Sequence, residues 1–248
     1  AALIAVAAEF KGRKLPLVDR VEIAIIEEMQ PRWLAFLNGE IDGLCGVTGK
    51  LPSQFAPVAA PGNKLAPHLA KLGVQMDRSL APDIAFTYFN MQDPVIGGTE
   101  PAQVALRRAL SLAYNVDEEI RLIRKGQAIA AHSMVLPHAR GWNPAFRSEM
   151  GDYSPGRARA LLDMYGFVDR DGDGFRERPD GSPLEIEMAS EPEQIYRAYN
   201  ELWQKCLRAV GVRIRFKTQQ WPENLKAARA GKLMMWMLGT AGGPDGEK

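Results

Sequence analysis

The sequence predicts an α/β fold with a mixed, partly parallel sheet flanked by helices, and three observations predict it. Stretches that alternate apolar and polar residues with period two recur at 21–25, 84–88, 184–188 and 212–217. Between most of them lie helical stripes, with apolar residues at i, i+3, i+4 and i+7. Residues 233–238 are apolar on both faces, as a central strand covered by helices would be.

The elements follow in order. Val21-Glu-Ile23-Ala-Ile25 reads as a half-buried strand. Pro31 opens a short helix over 32–37, Gly39 closes it, and Ile41-Asp-Gly43 begins another extended piece. Residues 46–67 carry Pro52, Pro57, Pro61 and Pro67 and read as loop with one or two helical turns. Residues 74–78 and 83–90 resemble strands. Leu106, Ala109, Leu110 and Ala113 mark the buried face of a helix. Asn115 and Glu118 have capping-box spacing for a second helix, which Arg124-Lys125-Gly126 ends. Ser154-Pro155 starts a third, with Ala158, Leu161, Leu162 and Tyr165 on its face and Gly166 as its stop.

The final third repeats strand, helix, strand, helix, strand. A helix from about Glu193 carries Tyr199, Leu202, Trp203, Cys206, Leu207 and Val210 on one stripe, and Gly211 ends it. Residues 222–230 form the next helix, capped by Gly231. The one soft boundary is the Pro/Gly-rich stretch, and the chain is read as a single α/β lobe over 1–248.

Composition narrows the function. Over 248 residues, 46% are hydrophobic, 25% are charged and the net charge is +1 with the basic residues scattered, so nothing points to nucleic acid. No apolar run approaches the ~20 residues that cross a bilayer. Ala1-Ala-Leu-Ile-Ala-Val-Ala-Ala8 has no basic flank and reads as helix or linker rather than signal peptide. Cys45 and Cys206 could pair in an oxidising compartment, but two free, buried thiols are the preferred reading, because buried Cys often behaves as a small hydrophobe.

Catalytic signals are sparse. His68, His132 and His138 sit in no metal-binding pattern, and Ser111 and Ser133 lack a nucleophile-elbow context. The sharpest motif is Asp169-Arg-Asp171-Gly-Asp173-Gly174, with carboxylates at positions 1, 3 and 5 and glycine at 6, as a calcium loop begins. Asp180 falls at position 12, where Glu is usual. Pro179 precedes it and a strand follows, so a polar turn built from Asp and Gly is the plainer reading and structural calcium the alternative.

The last strand enters Gly239-Thr240-Ala-Gly242-Gly-Pro-Asp245, a glycine-rich bend of the kind that exposes backbone to ligands. Trp236 stands just before it and can be core or the wall of a pocket. Trp142, on a loop, could touch a ligand or a neighbouring domain. Trp236, Gly239, Thr240, Gly242 and Trp142 are therefore the candidate ligand-binding residues.

Several ordered landmarks now resemble one family. They include Leu15-Pro-Leu-Val-Asp19-Arg-Val-Glu-Ile23, Phe36-Leu-Asn-Gly39-Glu-Ile-Asp42 and Tyr88-Phe-Asn90-Met-Gln-Asp-Pro94. They continue through Leu106-Arg-Arg-Ala-Leu-Ser-Leu-Ala-Tyr114-Asn-Val-Asp117, Lys125-Gly126-Gln-Ala128 and Ala158-Arg-Ala-Leu-Leu162. The last are Gly166-Phe-Val-Asp-Arg-Asp171-Gly-Asp-Gly174, Leu207-Arg-Ala-Val-Gly211-Val and Leu238-Gly-Thr-Ala-Gly-Gly-Pro244-Asp. The chain resembles the family 5 extracellular solute-binding proteins, the peptide- and nickel-type receptors of ABC importers.

The resemblance implies one lobe of a type II periplasmic-binding-protein-like fold, here the second lobe truncated at both ends, its first lobe missing. It implies a periplasmic protein without catalysis, a peptide or small-molecule solute as ligand and ABC transporter permease subunits as partners. In peptide-binding members the loop after this strand carries a Trp and an Asp that pairs with the peptide's amino terminus. Gly239-Thr-Ala-Gly-Gly243 has neither in register, and Asp245 comes later. A metal-stabilised hydrolase or transferase domain and a ligand-sensing receptor domain are the alternatives.

Overall fold

Among the described residues four strands form one sheet in the order β1-β4-β2-β3. They are β1 (Asp83–Phe89), β2 (Glu185–Ser190), β3 (Arg213–Thr218) and β4 (Met235–Ala241). The structure is a computed structural model that describes residues 11–241 except 15, 17, 45–50, 52, 79 and 138. β2 runs parallel to both β3 and β4, while β1 runs antiparallel to β4, so the sheet is mixed as the sequence predicts.

The chain divides into two compact units, Ala1–Pro52 and Ser53–Lys248. In the first, α1 (Met29–Leu37) buries Trp33 and Ala35. Arg32 ties its start down by donating to the Ile26 carbonyl at 2.7 Å and the Glu27 carbonyl at 3.1 Å. Residues 21–25 do not form the expected strand: Val21, Ile23 and Ile25 are 73%, 85% and 89% exposed. An alternating pattern becomes a strand only where a neighbour takes up its backbone hydrogen bonds, and none does among the described residues. Residues 74–78 are irregular for the same reason.

The second unit holds the sheet and seven α-helical segments among its described residues. Two short ones, α2 (Ala56–Ala59) and α3 (Pro67–Lys71), carry proline in their first turn. The others are α4 (Pro101–Ala113), α5 (Val116–Glu118), α6 (Pro155–Met164), α7 (Gln194–Arg208) and α8 (Trp221–Arg229). The Asn115 side chain accepts from the Glu118 amide at 2.9 Å, so the predicted cap forms. The helix does not then continue as α. Residues Glu119–Ile123 widen into a π turn, which brings residues five apart onto one side. Arg124 thereby reaches Glu119, its Nε 2.5 Å from Oε1.

Strand alternation explains why helices cover both faces of the sheet. Ile186 and Met188 of β2 and Met235 of β4 join the large core, with Leu202, Trp203, Cys206 and Leu207 of α7. Ala189 and Trp236, each one residue further along its strand, point the other way and pack with Leu225, Ala227 and Ala228 of α8. So α7 and α8 lie on opposite faces, and β4 is apolar on both sides because both sides are buried. β3 is a sheet edge. Its outward Arg215 pairs with Glu185 at 2.6 Å and Glu187 at 2.7 Å, charges that discourage further strand pairing.

α7 stops where the sequence says it should. Gly211 has φ +74, a conformation that a side chain resists, and the Val212 amide returns to the Leu207 carbonyl at 2.9 Å. Cys206 is a free, buried thiol whose pKa is pushed up by burial. Cys45 lies outside the described residues.

Candidate functional site

The connections out of β2 and β3 define the candidate place for a ligand. β2 leads through α7 to β3 on one side, and β3 leads through α8 to β4 on the other, passing opposite faces. Chain directions diverge at the carboxyl ends of β2 and β3, which opens a crevice there in α/β sheets. The residues that follow those strands, Ser190 to Glu193 and Thr218 to Trp221, are almost all polar or aromatic.

Hydrogen bonds knit these two strand ends together. Asn224, in the first turns of α8, is fully buried; its Nδ2 donates to the Ser190 carbonyl at 2.9 Å and the Gln219 carbonyl at 3.3 Å. The Gln219 amide also donates to the Ser190 carbonyl, at 3.0 Å. The Ser190 hydroxyl and the Asn200 side chain are bonded at 2.9 Å.

Beside this knot sits Glu191, a carboxylate only 5% exposed. Its Oε1 accepts from the Trp236 indole N–H at 3.1 Å. The Tyr196 hydroxyl also bonds it; burial first, and this bond second, hold that phenol well above its ordinary range. Trp221 packs against Trp236 with ring centroids 6.5 Å apart, yet is itself 50% exposed.

The candidate residues read from the sequence fare differently. Trp236 is 1% exposed, so it does not face an open groove; it bonds Glu191 and packs against Trp221. Gly239 and Thr240 are not in a bend. They extend β4, opposite Ala85 and Ile84 of β1, because the strand finds a partner that the sequence pattern could not reveal. Gly242 and the rest of the bend lie outside the described residues. Trp142 is half-buried on the irregular connection between the π turn and α6. The reading from sequence missed Glu191, Trp221 and Asn224. The one signal was the position of Ser190-Glu-Pro-Glu193 and Gln219-Gln-Trp221 after the parallel strands.

The acidic loop folds mostly onto itself. Asp169 accepts from the Gly172 amide at 2.7 Å and the Gly174 amide at 2.9 Å, and Asp171 accepts from the Asp173 amide at 3.1 Å. Asp173 is ion-paired with Arg213, and Asp180 accepts from the Ser182 hydroxyl at 2.5 Å. The carboxylates that converge are Asp169, Asp171 and Glu177, with oxygens within 4.8 Å of one another. Thus two of the four expected ligands come together with a third the sequence reading did not include, while Asp173 and Asp180 are engaged elsewhere. Two shallow depressions also lie away from the strand ends. One is lined by Arg108, Leu112 and Arg157; the other, by Asp163, Asp169 and Arg176.

An α/β unit with polar groups gathered where its parallel strands end has the architecture of a small-molecule-binding lobe. The chain belongs to the bacterial extracellular solute-binding proteins, family 5, whose middle region matches residues 4–247. A probable ABC transporter-binding protein of Deinococcus radiodurans is 26% identical over 82% of this chain and 33% of its own length. The dipeptide-binding protein of Escherichia coli is 30% identical over 57% of this chain and 25% of its own. The nickel-binding periplasmic protein of that species is 23% identical over 92% and 41%.

The chain thus spans well under half the length of these relatives. Among solved structures, the fold superposes on the oligopeptide-binding protein AppA of Bacillus subtilis in complex with a nonapeptide. The TM-score is 0.69 at 15% identity, covering 87% of this chain and 40% of that one. NikA of Brucella suis in complex with Fe(III)-EDTA gives 0.69 at 22% identity, over 91% and 42%. Among the described residues no helix is long and apolar enough to cross a membrane.

Proposed function

We propose that this chain is part of the substrate-binding component of an ABC importer, holding a peptide or similar small solute outside the cytoplasm, in the periplasm, for delivery to the permease. The match to the solute-binding family along nearly the whole chain carries this reading. The polar crevice at the ends of β2 and β3 supports it, because that edge offers hydrogen-bonding groups on a rigid scaffold. The protein does no chemistry on this reading; it clamps a solute between this lobe and another, and closure creates the surface that the permease meets.

The Asp169 loop is a self-bonded turn that needs no ion, with structural calcium as the alternative that its three convergent carboxylates keep testable.

Native mass spectrometry of the complete receptor, purified under mild conditions from its own host, tests the reading. A co-purified solute of defined mass, released on unfolding, is the expected result. A receptor that is empty and binds no peptide or metal complex in calorimetry overturns it. The isolated chain is expected to bind the same solute far more weakly, because half of the contact surface is gone.

A further inference from the structure

We propose that the π turn and the connection that follows it to α6 form a membrane-contact surface, which rests its basic and apolar side chains on anionic lipid. This surface lies outside the crevice of the receptor reading and does not depend on which solute is bound.

The first observation is charge. Residues 120–148 contain Arg121, Arg124, Lys125, Arg140 and Arg147 and not one Asp or Glu. The chain holds 30 acidic residues in 248, about one in eight, so a stretch of this length would ordinarily hold three or four. Glu119 answers Arg124. The other four cations are exposed, and no carboxylate pairs with them among the described residues. Arg147 donates only to the Pro144 and Phe146 carbonyls, at 2.8 and 2.9 Å, which leaves its charge uncancelled.

The second observation is apolar exposure on the same stretch. Leu122, Ile129, Met134, Val135 and Phe146 are each between 41% and 59% exposed. Single exposed apolar residues are ordinary on a protein surface. Five within one acid-free segment mark a place of contact.

The third observation is that the stretch is held in shape. The Ser148 amide comes to His132 Nδ1 at 3.4 Å. The His132 ring also lies so near the turn Glu149–Gly151 that a Cβ on Gly151 would stand 2.8 Å from it. Residues 133–147 therefore leave and return at one place, as an Ω-loop does, with Leu136 as their buried anchor. Upstream, Lys125 takes φ +50 and Gly126 φ +76, so the chain turns sharply out of the π turn and leaves Lys125 exposed at the corner. A lysine resists that conformation, and strain of this kind clusters at functional sites.

Lipid fits this composition better than protein does. Protein surfaces carry charges of both signs, so a loop matched to one would carry some carboxylate. A layer of anionic headgroups is negative throughout, and any carboxylate in the loop would weaken contact with it. Cations meet the headgroups while the apolar side chains enter the boundary below them.

Sedimentation with vesicles tests the assignment. The 248-residue chain is mixed with vesicles of phosphatidylcholine alone, or with about three parts in ten of phosphatidylglycerol. At low salt, binding to the anionic vesicles should be at least about tenfold stronger than to the neutral ones, and about 0.5 M salt should remove the difference. The double variant Arg140→Gln/Arg147→Gln should lower binding about tenfold, and Phe146→Ser about threefold, with melting temperatures unchanged. Arg229→Gln/Lys232→Gln removes the same charge near the end of α8 and should change binding by less than about twofold. An equal loss in that control overturns the inference, because net charge and not this loop would then be the cause. Equal binding to both kinds of vesicle, or to neither, overturns it as well. Capture by immobilised poly-glutamate and not by vesicles gives the loop to an acidic protein instead, and the lipid assignment falls. The receptor reading is decided separately, by the co-purified solute.

Discussion

Two buried glutamates of the second unit are built on opposite principles. Glu119 is 8% exposed and closed off: the Tyr114 hydroxyl donates to it at 2.6 Å and Arg124 at 2.5 Å. Arg124 also lies over the Tyr199 ring at 5.6 Å, and Tyr114 stacks on Trp203 at 4.0 Å. Every charge there is answered from within, on the inner face of α7. Glu191 is as deeply buried, but its bonds come from neutral donors, the Trp236 indole and the Tyr196 hydroxyl. The contrast is between a charge answered by its own neighbours and one held by neutral donors alone. The first is paired by residues close in sequence. The second stands at the edge where strands end.

The largest expected effect breaks or upholds that contrast directly. Removing one partner of the closed network, by Arg124→Met or Glu119→Ala, should destabilise the protein by about 3 kcal/mol, since it strands a buried charge or leaves a phenol and a guanidinium unanswered. Glu191→Gln should cost less than about 1 kcal/mol, because the amide oxygen still accepts from Trp236 and a lone buried charge is removed. Urea unfolding at neutral pH measures both, and equal losses would erase the distinction.

A smaller effect concerns the phenols that serve the two glutamates. Burial holds Tyr114, Tyr196 and Tyr199 above their ordinary value of 10.0. The folded chain therefore keeps protons that the unfolded chain releases. Stability is intact below pH 10.0 and falls as pH rises beyond it. Tyr114→Phe and Tyr196→Phe should each flatten that decline, read from urea midpoints between neutral and strongly alkaline pH. A decline unchanged in both variants would mean that other groups cause it.

The smallest effect is expected at the acidic loop, a third set of carboxylates that resembles the closed network in being answered locally. Melting temperature should be the same in chelator and in millimolar calcium. A rise that disappears in Asp169→Asn would instead assign the loop to the ion.

Much of the fold was legible along the chain because its signals are local. The stripe on α7, the Asn115 cap, the Gly211 stop and the two apolar faces of β4 each depend on residues within one or two turns. Where the reading missed, the missing information was a partner. Residues 21–25 have the pattern of a strand and no neighbour to pair with. Gly239 and Thr240 look like a bend and become strand because Ala85 and Ile84 lie opposite.

The candidate site shows the same division most sharply. Ser190-Glu-Pro-Glu193 reads as a solvated polar turn, and nothing in its spacing marks Glu191 as buried. Its donor, Trp236, stands 45 residues away, and Asn224 of α8 donates to the neighbouring Ser190 carbonyl. The sequence by itself determined which segments are helices and strands, and that the sheet is mixed, because periodicity and turn residues act over short range. Only the tertiary structure decided which carboxylate is enclosed and which acceptors lack donors, because burial and hydrogen bonding are properties of what distant segments bring together.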